Sequence, residues 1–320
     1  MSAKKLLLNA VLLLGLVLAA YLLYRVFSRY SLAEIRASVE RLSESRLSAG
    51  LAFAAMSYLC LTVFDWMGLR YAGRPLSYPK AALASFTGLS IGHNLGFAAL
   101  SSGAVRYRYY SRWGLSGEEV ARVIVFCGAT VGIGLASLCG IVFVSNSQAA
   151  AALIGLPAAG VVALGVGCLV AIGCYLLMTL MIRAPLAVWR WRFKMPSFPL
   201  AVGQIVVGTL NFMAVAACLQ QLLGADADFM ETATAFVLAN VAVLLTHVPG
   251  GLGVLEATVT ALIPSASIGA LVAFRVIYFV IPLLFGLVSF ALSEIFLRRR
   301  QRSAADQTSH ERREAQPQSP

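Results

Sequence analysis

The chain has 320 residues, of which 59% are hydrophobic and only 12% charged, a balance that excludes a water-soluble globular domain as its main body. Its 25 basic and 14 acidic side chains leave a net charge of +11. The basic residues stand in short clusters beside apolar segments, where membrane topology and anionic lipid account for them, so nucleic acid is not an expected partner.

The first apolar segment, 6–27, follows Lys4 and Lys5 as a signal peptide would, but lacks a small-x-small cleavage site at its end and reads as an uncleaved first helix. Residues 28–46 then balance Arg29, Arg36, Arg41 and Arg46 against Glu34, Glu40 and Glu44. Leu32, Ile35, Val39 and Leu42 recur there at helical spacing, which predicts an amphipathic helix on the outer surface. Further apolar segments follow at 47–69, 81–105, 118–144, 158–182, 199–223, 230–263 and 268–297, several of them long enough to cross ~30 Å of hydrocarbon as a helix. Residues 298–320 form a basic, then polar tail expected to be disordered and cytoplasmic. Strand-like alternation is absent, which argues against a β-barrel and for an all-α, polytopic membrane helical bundle. The six cysteines all fall inside apolar segments without metal-type spacing and behave as small hydrophobes.

Charge sets the expected topology. Arg70, Arg74 and Lys80 form one basic connection, Arg106, Arg108 and Arg112 a second, Arg183, Arg190, Arg192 and Lys194 a third, and Arg298 to Arg300 with Arg302 the tail; all of these belong inside. Residues 145–157 and 264–274 carry no charge, and 224–231 carry only Asp226, Asp228 and Glu231; these belong outside. With both termini inside, all these preferences are met by six full crossings in which 81–105 and 230–263 are re-entrant helical hairpins. The halves, about 1–144 and 158–297, then each hold three crossings and one hairpin, so the second is inverted on the first, as in many transporters.

Both hairpins gather helix-weakening residues. The first has Gly88, Gly92, His93, Asn94 and Gly96, then Ser101, Ser102, Gly103 and Ala104 before Arg106; the second has His247, Pro249, Gly250, Gly251 and Gly253 before Glu256. Small residues serve either tight packing or a broken backbone facing a cavity. From Gly253 a half-helix can begin, whose amide end favours an anion such as phosphate. Glu256 lies in an otherwise apolar run and needs a partner, for which Arg275 is the natural candidate; the pair either locks the fold or faces a cavity that takes a polar head group. Arg106 can grip a phosphate with two hydrogen bonds or belong to the positive-inside cluster. Asp65 reads as an interfacial ion pair with Arg70 or as a cation or proton site. His93 and His247 either couple to protons or serve as helix contacts. No Walker loop, metal spacing or Gly-x-Ser-x-Gly element is present, so neither catalysis, nor a cofactor, nor a metal is expected.

The stretches "GAVRYRYYSRWGLSGEEVARV" from Gly103, "HVPGGLGVLEATVTALIP" from His247 and "AFRVIYFVIPLL" from Ala273 resemble the lysylphosphatidylglycerol synthase transmembrane-region family, which includes the UPF0104 group of inner-membrane proteins. The resemblance spans roughly residues 5–297. It implies a bacterial inner-membrane, lipid-translocating module with Arg106, Glu256 and Arg275 at motif positions. Ser101 and Ser102 stand where relatives tend to have glycines. In two-part members a cytosolic domain makes the aminoacylated lipid; here the chain ends 23 residues after Leu297, so that domain is expected to be absent. The expected function is a flippase for a phospholipid or lipid-linked substrate, with membrane phospholipids as partners. The alternatives are a proton-coupled transporter of a small anion and a non-transporting partner of a lipid-modifying enzyme.

Overall fold

The computed structural model describes residues 33, 36, 40, 42–95, 98–182, 186–188, 191–224, 227–246, 251 and 253–294. The expected first crossing at 6–27, most of the amphipathic helix at 28–46, the residues His247, Pro249 and Gly250, and the tail at 298–320 lie outside them. The described chain is built of helices α1 (Glu44–Tyr71), α2 (Tyr78–Leu95), α3 (Ala98–Arg112), α4 (Gly117–Ser145), α5 (Ser147–Ile154), α6 (Ala158–Met181), α7 (Phe198–Leu223), α8 (Phe229–Thr246), α9 (Val254–Leu262) and α10 (Ile268–Arg275). The last of these runs on through a π turn at Val276–Val280 to Glu294. Between α6 and α7 the chain departs from the all-α expectation. Strands β1 (Leu186–Val188) and β2 (Trp191–Phe193) pair antiparallel, with Val188 opposite Trp191. The segment, Leu186 to Phe193, holds Val188 and three aromatic residues between helices and is too brief to nucleate a helix of its own.

Among the described residues six helices are long and apolar enough to cross a membrane: α1, α4, α6, α7, α8 and the last helix, Ile268–Glu294. Five coincide with expected crossings, while α8 falls in the first part of the expected hairpin at 230–263. The local causes of the helix ends are simple. Helix α4 starts on a capping box, in which Ser116 Oγ accepts from the Glu119 amide at 3.2 Å and Glu119 accepts from the Ser116 amide at 2.7 Å. Pro157 precedes α6, and Pro199 occupies the first turn of α7, where its missing N–H costs nothing.

The connections sort to two ends of the bundle. At one end Arg74 donates to the Gly114 carbonyl at 2.6 Å, Tyr71 donates to the Lys194 carbonyl at 2.7 Å, Lys80 lies over the Trp113 ring, and Arg112 reaches Glu294 at 2.6 Å. The described parts of the three connections expected inside are therefore gathered there, while Arg46 lies at the other end beside Gly224. At the other end Asn146 meets Thr234 at 3.3 Å, and Gln220 donates to the Ala227 carbonyl at 3.0 Å. Helix α2 starts at the basic end and α3 finishes there, and the two fold back on each other. A Cβ on Gly88 would sit 3.2 Å from the Ser102 carbonyl oxygen, the two residues lying about equally far from the break. The chain also breaks between α8 and α9, and Gly251, with φ +60, lies against Val243 of α8.

Helix contacts are closest where glycines meet. A Cβ on Gly134 of α4 would lie 2.4 Å from the Gly208 carbonyl carbon of α7, and one on Gly140 would lie 3.1 Å from the Gly165 carbonyl oxygen of α6. These backbones touch without intervening side chains, the usual way helices associate where lipid offers no hydrophobic drive. Gly134→Val is expected to cost roughly 1–3 kcal/mol by overpacking, read as a lowered unfolding midpoint in detergent. Gly132→Val, where nothing lies within 4 Å of the added Cβ, should leave the midpoint almost unchanged.

Candidate functional site

Two buried ion pairs stand on the two helix breaks. In the first, α3 carries Arg106 against Asp65 of α1: Nε donates to Oδ1 at 2.8 Å and Nη2 to Oδ2 at 2.7 Å, while Nη1 donates to Ser102 Oγ at 2.9 Å. Tyr110, one turn further along α3, donates its hydroxyl to Asp65 Oδ1 at 2.7 Å. Asp65 is fully buried and Arg106 nearly so, so this carboxylate is neutralised by a fork of hydrogen bonds rather than by water. The expected Asp65–Arg70 pair does not form, because residues five apart point to different faces of a helix. Arg70 instead lies over the Trp66 ring, 3.3 Å from its centroid.

In the second, Arg275 of the last helix donates Nε and Nη2 to the Glu256 carboxylate, the latter at 2.9 Å, and Nη2 also donates to the Gly251 carbonyl at 3.0 Å. This is the partnership expected from sequence. Helix α9 does begin directly after Gly253, whose φ of +88 suits glycine. The Gly253 amide is not left open, however. It donates to Glu256 Oε2 at 2.9 Å, so Glu256 serves both as cap of its own helix and as partner of Arg275. The Glu256 side chain remains 18% exposed, against 0% for Asp65.

Between the pairs lies a neutral polar cluster that sequence reading missed. Ser57 Oγ donates to Asn211 Oδ1 at 2.7 Å and stands 2.8 Å from Tyr278 OH. Ser57 and Asn211 are each halfway along their helices, which places the cluster near the middle of the bundle. The tip of the first hairpin reaches the same place. Asn94 donates to the Phe279 carbonyl at 3.3 Å, and His93 packs between Tyr278 and Tyr58, at 6.4 and 6.1 Å between ring centroids. The π turn makes this possible, since its i to i+5 bonding, Ile281 N to Val276 O, loosens the ladder and leaves the Tyr278 and Phe279 carbonyls to side chains. His93 Nδ1 is buried without a hydrogen-bond partner. Both helix breaks thus converge on one stretch of the last helix, Arg275 to Phe279.

A third charged cluster, at the basic end, was also not anticipated. Glu294 accepts from Arg108 Nε at 2.7 Å and from Arg112 Nη1 at 2.6 Å, so two members of the expected positive-inside cluster are tied to the last helix. Its sequence signal was weak: Glu294 is a single acid just before the four arginines of the tail. Among the described residues no group of His, Cys, Asp and Glu is placed to hold a metal ion.

Long apolar helices, glycine-mediated packing and charges neutralised in pairs inside the bundle define a multi-pass helical membrane protein. The chain belongs to the lysylphosphatidylglycerol synthase transmembrane-region family, whose model matches residues 12–288. It is 32% identical over 280 residues to the uncharacterised protein slr0712 of Synechocystis sp., covering 85% of this chain and 87% of that one. It is 29% identical over 262 residues to the inner membrane protein YbhN of Escherichia coli, covering 78% and 80%.

Proposed function

We propose that this chain translocates a phospholipid or a lipid-linked substrate across a bacterial inner membrane. The observation that carries this reading is the convergence of both helix breaks on Arg275 to Phe279, beside a polar cluster in the middle of an otherwise apolar bundle. Broken helices near the midplane are where transporters of inverted-repeat architecture bind substrate. In this reading the α2–α3 and α8–α9 segments are re-entrant hairpins of two inverted halves, and the basic end with both termini faces the cytoplasm. Arg275 exchanges the Glu256 carboxylate for a substrate phosphate and so is never left bare in a medium of low dielectric. Glu256, released, receives a cationic head group, while the acyl chains stay in lipid. Arg106 and Asp65 make the corresponding pair on the cytoplasmic side, and Gly251 and Gly253, with φ of +60 and +88, lead the chain into α9.

The test is outer-leaflet exposure of labelled phospholipids in proteoliposomes. Rates across several lipid classes should exceed those of empty vesicles, and equal rates would sink the reading. The topology is checked separately. A single cysteine introduced at Ser147 on a cysteine-free background should react with impermeant reagent from outside only, and labelling from inside only would overturn the six-crossing arrangement.

A second reading, proton-coupled transport of a small soluble anion, is favoured by one observation, the unpartnered His93 Nδ1 at the hairpin tip. It predicts a substrate-dependent pH change in sealed vesicles without lipid movement.

A further inference from the structure

A cleft of about 540 Å³ opens on the outside of the bundle between α2 and the last helix, walled by Leu83, Phe86, Phe285, Val288 and Leu292. Phe285, Val288 and Leu292 are each half exposed or more, so this wall faces whatever surrounds the protein. From Phe285 to Ser293 the cleft follows the helix for ~12 Å, from the middle of the spanning segment to its basic end. Its polar atoms are confined to that end. Ser289 lies 3.3 Å from Thr87, and Ser293 is hydrogen-bonded to the Tyr109 hydroxyl.

Next to Ser293 and Tyr109 on their own helices stand Glu294 and Arg108, and Arg112, one turn nearer the basic end, completes the cluster. Two guanidinium groups there face one carboxylate. Arg108, whose side chain is only 7% exposed, holds Glu294 with Nε and Nη2 and leaves Nη1 buried without an acceptor. A buried guanidinium N–H without an acceptor is costly and points to a missing anionic or polar group.

We propose that this cleft is a phospholipid-binding site, in which one acyl chain lies between α2 and the last helix and the phosphate is held by Arg108 and Arg112. The order of the features is that of a phospholipid in one leaflet: an apolar groove from mid-membrane outward, then hydroxyls, then excess positive charge. The site rests on the reading of this chain as membrane-embedded and is independent of whether the midplane cluster moves lipid.

The experiment equilibrates the purified full-length protein in detergent with equal amounts of phosphatidylglycerol, phosphatidylcholine and diacylglycerol, and measures the lipid retained by native mass spectrometry. The parent should retain both phospholipids over diacylglycerol. Arg112→Gln, chosen because Arg112 is partly exposed and tolerant, should lower phospholipid retention about tenfold and leave diacylglycerol unchanged. Val288→Trp, which fills the cleft, should abolish retention of all three, while Val170→Trp on the exposed face of α6 should match the parent. Equal retention in all four proteins would overturn the proposal. So would a benzoylphenylalanine at Val288 that cross-links to residues 6–27 of the same chain or to a second copy instead of lipid. Translocation lost with retention intact leaves this site standing and removes the proposed function. A parent protein that translocates lipid yet retains no phospholipid over diacylglycerol removes this site and leaves the proposed function standing.

Discussion

Asp65→Asn should destabilise the protein by roughly 3–5 kcal/mol, the cost of removing one partner from a buried ion pair. The substitution keeps the size of the side chain but removes the charge that two nitrogens of Arg106 and the Tyr110 hydroxyl address. Arg106 is then left nearly waterless, held by Ser102 and a neutral amide. Unfolding in detergent, followed by the fluorescence of Trp66 and Trp113 nearby, measures the loss. The double variant Asp65→Leu with Arg106→Met should recover most of it, since replacing both charges removes the desolvation cost along with the attraction. A single variant as stable as the parent would mean that the pair is hydrated in the membrane-embedded protein.

Arg275→Gln should lower translocation roughly 10- to 100-fold, the worth of one or more charge-assisted hydrogen bonds, in a protein that still folds. Its stability cost should be smaller than that of Asp65→Asn. Glu256, the partner it abandons, is not fully enclosed by protein and still caps α9 through the Gly253 amide. Glu256→Gln preserves the cap geometry and should therefore be the milder of the two in stability, yet comparable in transport. The measurement that decides is the pair of readouts together. Transport falling only in proportion to folded protein would assign Glu256 and Arg275 a purely structural role.

The long helices were legible because membrane spans announce themselves by length and apolarity, and α1, α4, α6 and α7 lie within a few residues of the segments expected for them. The end of α2 at Leu95 and the start of α9 after Gly253 also fall within the two glycine-rich stretches singled out in the sequence. What failed was pairing over distance. Asp65 was assigned to Arg70, five residues away, whereas its true partner is 41 residues away and arrives only because α3 folds back along α2 with Ser102 against Gly88. Glu294 was passed over for the same reason, its partners Arg108 and Arg112 being 186 and 182 residues distant. Nor does any pattern in Ser57, Asn211 and Tyr278 announce a cluster, since each is a single polar residue in its own apolar helix. The small β-hairpin was hidden by its brevity, eight residues inside a connection read only for its charge.

The π turn at Val276–Val280 has a consequence for phase. An α-helix advances about 100° per residue, and a π turn accommodates one residue more than an α turn, so the last helix is two helical ladders offset by about that angle. The leading ladder presents Arg275 to the second hairpin, and the trailing one presents Gly286, Ser289 and Ser293 to the first. A single face of regular α-helix would drift past one hairpin while serving the other. Deleting one residue within Val276–Val280 would remove the extra residue and swing Arg275 by about 100° while Glu294 stayed anchored to Arg108 and Arg112, and Pro282, which has no N–H, would still leave a gap in the ladder. One amino acid of extra length is in this sense the clutch between the upper and lower parts of the last helix.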